Sequence, residues 1–224
     1  IYLKVRCCPI DYPRAKYYYE KSSELNNPIA FYLLGLMYST GLGVKENCKK
    51  AIEYYEKAAE LHNTSALIQL ALIYIEGHGV TKNYEKAKEY IELPARQNHP
   101  KALLILAVMH FKGLGFDKDY GKAKEYLELS ALQNNSISLY EIADMYSSGF
   151  YFDSNINKAI IYFEKCINLN DEQLNLMNLD SIYEIGIDTN KMLYHSHNDL
   201  GLIYLTVFND IEKANEYIKQ SAFG

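Results

Sequence analysis

Tryptophan is absent from the 224 residues, and only four cysteines and five prolines are present. No apolar run approaches the roughly 18 residues that a membrane helix needs, and no charged-then-apolar leader opens the chain, so membrane insertion and a secretory signal are not expected within it. Cys7, Cys8, Cys48 and Cys166 lack metal-ligand spacing and are too sparse for a disulfide scaffold, which makes a reducing, cytoplasmic setting the expectation. Asn63-Thr64-Ser65 and Asn134-Asn135-Ser136 fit glycosylation sequons and leave a secretory location open. Basic excess is missing as well: the net charge is −5 and the pI about 5.7, so nucleic acid and anionic membrane surfaces rank last as partners. The chain starts at Ile1 without an initiator Met, and we expect it to be a fragment of a longer one.

What is present is an ordinary globular composition, 49% hydrophobic and 23% charged, carrying 22 tyrosines and a repeat. Segments beginning at Ala30, Ala66, Ala102 and Ser138 follow one another at a period of 36 residues. The first holds Leu34-Gly35, Tyr38, Gly41, Gly43, Ala51, Tyr54-Tyr55 and Ala58-Ala59. The second holds Leu70-Ala71, Tyr74, Gly77, Gly79, Ala87, Tyr90 and Pro94-Ala95 at the same places, and the third Leu106-Ala107, His110, Gly113, Gly115, Ala123, Tyr126 and Ser130-Ala131. The fourth keeps Ile142-Ala143, Tyr146 and Gly149 but replaces the second glycine by Tyr151. The register reaches outward to Tyr2 and Ala15 on one side and to Leu200-Gly201, Tyr204 and Ala214 on the other.

Each copy divides into two helices. Helix A runs from the small residue at Ala30 and its equivalents to the first loop glycine, which stops a helix by adopting positive φ. Helix B starts at Asp11, Asn47, Asn83, Asp119, Asn155 or Asp210, each four residues before a central Ala. Such side chains cap helix N-termini by accepting a bond from an orphan backbone N–H. Small residues at Gly35, Ala71, Ala107 and Ala143, and at Ala51, Ala87, Ala123 and Ala159, let the two helices approach closely. A hairpin of this kind cannot bury its apolar face alone and must stack on its neighbours. The pattern predicts one repeat domain over 1–224: a partial copy at 1–29, repeats at 30–65, 66–101, 102–137 and 138–170, a degenerate segment at 171–195, and a short-loop copy at 196–224.

The run Ala30-x3-Leu34-Gly35-x2-Tyr38-x2-Gly41-x-Gly43-Val44, followed by Asn47-x2-Lys50-Ala51-x2-Tyr54-Tyr55-x2-Ala58-Ala59, resembles the Sel-one-like repeat (SLR) family, a relative of the tetratricopeptide repeat with a longer loop. The resemblance implies an all-α, right-handed α-solenoid of stacked antiparallel helix pairs. It also implies an adaptor or scaffold in multiprotein complexes, with A helices lining the concave side. Some secreted relatives bind β-lactams but pair cysteines within each repeat, and that pairing is absent here.

Catalytic constellations are sparse. Gly41-Leu42-Gly43 and its copies lack the Gly-Lys-Ser/Thr element of a phosphate loop. His195-Ser196-His197 with Asp199 has the wrong helical spacing for one metal face, and reads as surface histidines. His110 stands at a repeat Tyr position and reads as core, His78 as an exposed loop residue, and Cys166 as a tightly packed small residue. The pair Cys7-Cys8 leaves room for a redox switch. No catalytic residue, metal or cofactor is expected. The A-helix positions that the repeat leaves variable are the candidates for binding a partner: Tyr32, Leu36, Ile68, Leu72, Ile75, Leu104, Val108, Phe111 and Tyr140. Either they form an exposed apolar strip that takes a protein or peptide, or Leu36, Leu72 and Val108 are partly buried between neighbouring A helices. The fourth copy turns polar, with Asp144, Ser147 and Ser148. The function expected is a non-enzymatic protein-interaction scaffold. The alternatives are a regulatory or targeting region of a larger enzyme, and a structural subunit of a large assembly that covers convex residues such as Tyr18, Tyr55 and Tyr162.

Overall fold

The computed structural model describes residues 11–149, 153–169 and 192–221. Two expectations, the Cys7-Cys8 pair and most of the 171–195 segment, lie outside the described residues. Every regular element among the described residues is an α-helix. The helices group into two compact units, Ile1–Arg96 and Gln97–Gly224. The first holds α1 (Tyr12–Ser23), α2 (Pro28–Thr40), α3 (Cys48–Glu60), α4 (Thr64–Glu76) and α5 (Tyr84–Arg96). The second holds α6 (Pro100–Lys112), α7 (Tyr120–Ala131), α8 (Ser136–Ser148), α9 (Ile156–Ile167), α10 (Met192–Thr206) and α11 (Ile211–Ser221). Within each unit, helices consecutive in this order pack on one another, which is the stacking of an α-solenoid.

The sequence sets the helix ends. All six expected caps form: the side chains of Asp11, Asn47, Asn83, Asp119, Asn155 and Asp210 accept from the backbone N–H three residues on, at 2.9–3.1 Å. Gly41, Gly77, Gly113 and Gly149 close the A helices at φ between 62° and 81°. A second device ties loop to helix in every hairpin. The N–H of Asn47, Asn83, Asp119, Asn155 and Asp210 donates to the carbonyl of Tyr38, Tyr74, His110, Tyr146 and Tyr204, at 2.8–3.1 Å.

Those same A-helix aromatics stack on a B-helix tyrosine. The pairs Tyr38–Tyr54, Tyr74–Tyr90, His110–Tyr126, Tyr146–Tyr162 and Tyr204–Tyr217 have ring centroids 5.6–6.1 Å apart and nearly parallel planes. Lys50, Lys86, Lys158 and Lys213 place their ammonium groups 4.9–5.2 Å from the A-helix ring. The Lys that precedes the central Ala is thus the third layer of an aromatic clamp, held by the ring quadrupole.

Close approach explains the small residues. A Cβ on Gly35 would stand 2.6 Å from the Tyr55 ring, and one on Gly201 would stand 2.6 Å from Ile218, so α3 and α11 lie directly against bare backbone. Tyr55, offered above as a convex surface residue, is instead 1% exposed core, whereas Tyr18 is exposed and Tyr162 half-buried. The second loop glycine does more than turn the chain. A Cβ on Gly43 would collide with Tyr12, and one on Gly79 would sit 2.5 Å from Cys48, so each loop rests on the first residue of the preceding B helix. A recurrent link that the sequence reading did not isolate joins each B helix to the next A helix: Asn26, His62, Asn98 and Asn134 all adopt positive φ. The residue that follows caps helix A through its side chain at Asn27, Asn63 and Asn135, but not at His99.

Candidate functional site

The nine candidate binding positions divide by burial. Ile68, Leu72, Ile75, Leu104 and Val108 are buried, Leu72 and Leu104 to 1% exposure. Tyr32, Leu36, Phe111 and Tyr140 are half-buried. An exposed strip running through all nine is therefore not what folds. For Leu72 and Val108 the alternative of burial is realised, because the A helices are apolar on nearly every side and these side chains serve the core. The half-buried four keep an open edge. Tyr32 leans on Tyr55 with ring centroids 5.9 Å apart, and Phe111 meets Tyr120 edge-on at 5.3 Å.

In the second unit these positions form a concavity. Leu104, Ala107, Val108, Phe111 and Lys112 of α6, Leu127 of α7, and Glu141 and Met145 of α8 line a cavity of about 130 Å³. Its walls are apolar except for Lys112 and Glu141. Burial, helped by Asp144 one turn along and opposed by Lys112, pushes the Glu141 carboxyl up to about 7. Alongside, the Tyr140 hydroxyl donates to Asp199 Oδ2 of α10 at 3.4 Å. Burial and the neighbouring Asp144 both hold the Asp199 carboxyl above its usual range, and His195 opposes them. Burial likewise pushes the Tyr140 phenol up, with Asp199 the next contributor.

Glu141 was not singled out in the sequence, and Asp199 only as a companion of His195 and His197. Both precede the Ile142-Ala143 or Leu200-Gly201 landmark, at the place that Leu33, Gln69 and Ile105 fill in other copies. The position is variable, apolar in two copies and polar in three, so the register marks it as one that the repeat does not fix.

The other chemical candidates resolve as packing. His110 is 4% exposed and stacks between Phe116 and Tyr126 at centroid distances of 4.2 and 5.6 Å. His78 is exposed, with Nδ1 3.2 Å from Glu76 Oε2. Cys166 is 1% exposed, its thiol lies 3.5 Å from the Ser136 carbonyl, and burial pushes its pKa up. The reading of His195-Ser196-His197 as surface residues needs correction. Ser196 and His197 are buried and His195 half-buried, because the helix turns His197 inward beside Tyr217. Among the described residues no three His, Cys, Asp or Glu side chains converge as metal ligands, and no helix is long and apolar enough to cross a membrane. Of the two sequon asparagines, Asn63 is engaged as the cap of α4 and Asn134 is exposed.

The sequence matches the Sel1 repeat family over residues 6–27, 28–63, 64–99, 100–135, 136–171 and 195–222. No curated protein matches it. Among solved structures, the chain is similar to a Sel1 repeat protein from Oxalobacter formigenes, with a TM-score of 0.76 and 21% identity over 95% of this chain and 78% of that one. It is also similar to a protective antigen of uropathogenic Escherichia coli that displays an SLR fold, with a TM-score of 0.63 and 24% identity over 96% of this chain and 50% of the other. An immunity protein from Pseudomonas aeruginosa aligns with a TM-score of 0.51 at 15% identity, over 96% of this chain and 76% of that one. At these identities the likeness concerns the fold.

Proposed function

This chain belongs to the Sel1 repeat family, and from that premise we propose that it is a non-enzymatic scaffold that binds a protein partner through open edges of its A helices. The carrying observation is the cavity of the second unit. Three of the expected binding positions, Leu104, Val108 and Phe111, line it together with the half-buried Glu141. A largely preformed concavity loses little entropy on binding, which favours capture of an extended or helical segment. In the second unit the protein partner would also cover Tyr140, and in the first unit Tyr32 and Leu36 offer an open edge of their own, all three half-buried when the chain is alone. Cys48 and Cys166 are free thiols, which fits a reducing, cytoplasmic setting.

Burial decides how the proposal is tested. Ile68 and Leu104 belong to the core, so charging them would damage the fold; Tyr32, Leu36, Phe111 and Tyr140 can be charged at their open edges. Affinity capture from native extract with Tyr32→Glu/Leu36→Glu and with Phe111→Glu/Tyr140→Glu variants, each checked for unchanged helicity, is the direct experiment. A partner held by the unaltered chain and lost at least tenfold in either variant supports the scaffold reading. Equal capture by both folded variants overturns it.

A further inference from the structure

The cavity of the second unit has a chemistry that narrows its occupant. Its volume of about 130 Å³ is well below the roughly 300–1,000 Å³ of a cofactor or drug-sized pocket, and matches a single long side chain. Its walls are aliphatic and aromatic, yet a carboxylate faces into it. The charges acting on Glu141 are Asp144, which raises its pKa, and Lys112, which lowers it. Asp199, bonded to Tyr140, adds a third acid on the same side of the unit and also feels the charge of Asp144. Glu141 and Lys112 both line the cavity, while the exposed Asp144 acts on Glu141 and on Asp199, so three carboxylates near one another are set against Lys112 and the half-buried His195. An apolar sleeve ending in an under-compensated acid is the complement of a side chain that is aliphatic along its stem and cationic at its tip.

We infer that this cleft captures a lysine or arginine side chain of the partner, its stem against Leu104, Val108, Phe111 and Met145 and its charge on Glu141, with Asp144 and Asp199 drawing it in. The inference rests on the scaffold reading and states the chemistry of the segment that the scaffold holds: a basic residue flanked by apolar ones. A cationic segment also restores the charge that Glu141 gives up on burial, so binding and ionisation of Glu141 are coupled.

The test uses the whole chain labelled with ¹³C at its methionine methyls. Met145 lines the cavity, and Met37 lies in the core of the first unit as an internal control. The probes are the peptide amides Leu-Lys-Leu, Leu-Arg-Leu and Leu-Glu-Leu, and free lysine. The expected result is a saturable shift of the Met145 methyl with the Lys and Arg peptides and none at Met37. The Glu peptide should leave Met145 unmoved, and free lysine should act at least tenfold more weakly than Leu-Lys-Leu. Affinity should fall about tenfold in Glu141→Gln and less in Asp199→Asn, with the spectrum otherwise unchanged. A response to Leu-Glu-Leu equal to that for Leu-Lys-Leu, a free-lysine response as strong as the peptide's, or full affinity in folded Glu141→Gln overturns the inference. Those outcomes leave the scaffold reading standing, since that reading fails only when capture of a native partner survives the charged variants.

Discussion

Helices α6 and α8 are consecutive A helices of one unit, built on the same 36-residue register, and they differ in the polarity of the positions it leaves variable. Helix α6 is buried without a break from Ala102 to His110 and offers the cavity an apolar wall. Helix α8 keeps Ile142, Ala143, Met145 and Tyr146 buried but carries Glu141 and Asp144 where α6 has Ile105 and Val108. The landmarks that make a hairpin are common to both: the positive-φ asparagine that leads in, Asn98 or Asn134, the closing glycine, the small residue at Ala107 or Ala143, and the stacked aromatic pair. What differs lies between them. The shared positions build the solenoid and the unshared ones are available for recognition, which is how a repeat protein changes partner without changing fold.

Exchanging residues between the two helices tests this division. Ile105→Glu places the acid of α8 into α6, where the side chain is 1% exposed. We expect a loss of about 3–5 kcal/mol, from an uncompensated buried charge, read as a collapse of the urea midpoint followed by circular dichroism. Intact stability in that variant would mean that α6 is as adaptable as α8.

The converse change is smaller and depends on pH. The folded chain holds the Glu141 proton up to about 7, against a usual value of 4.5, so folding takes up a proton between those values. The contribution of Glu141 to stability is then full below about 4.5 and is lost as pH rises towards 7. Glu141→Gln keeps the shape and removes the titration. It should stabilise the chain by about 2 kcal/mol at pH 8 and have little effect at pH 4, in thermal melts run side by side. A pH-independent difference would contradict the burial of this acid.

Two further changes address what the repeats share. Removing a B-helix cap with Asp119→Ala or Asn155→Ala should cost about 1 kcal/mol in either repeat, by chemical denaturation, since both caps accept equivalent bonds at 2.9 and 3.0 Å. Unequal costs would show that the repeats do not carry the same framework. The smallest effect is expected for Lys158→Met, which removes the ammonium 5.0 Å from the Tyr146 ring and should lower stability by about 0.5 kcal/mol.

Much of this architecture is local chemistry, and local chemistry is legible in a chain read alone. The loop glycines need positive φ, the Asp or Asn before each B helix has an orphan N–H within reach, and small residues repeat where helices touch. Spacing therefore carried the hairpins, their caps and their period. The placement of Tyr55 was misread because two adjacent tyrosines lie on different sides of α3, and only the bare backbone of Gly35 across the interface draws the second one in. The candidate strip was half legible. Periodicity finds the variable positions of helix A, but a helix apolar all round does not say which of its sides another helix will cover.

The sequence by itself determined that this is a chain of stacked helical hairpins and where each begins and ends, because those outcomes follow from contacts a few residues or one repeat apart. Only the tertiary structure decided that Ile68, Leu72 and Leu104 belong to the core, and that Phe111, Met145 and Glu141 share one concavity with Tyr140 and Asp199 beside it. Those residues come from different repeats, and their burial and charge depend on how the helices pack, which no interval along the chain records.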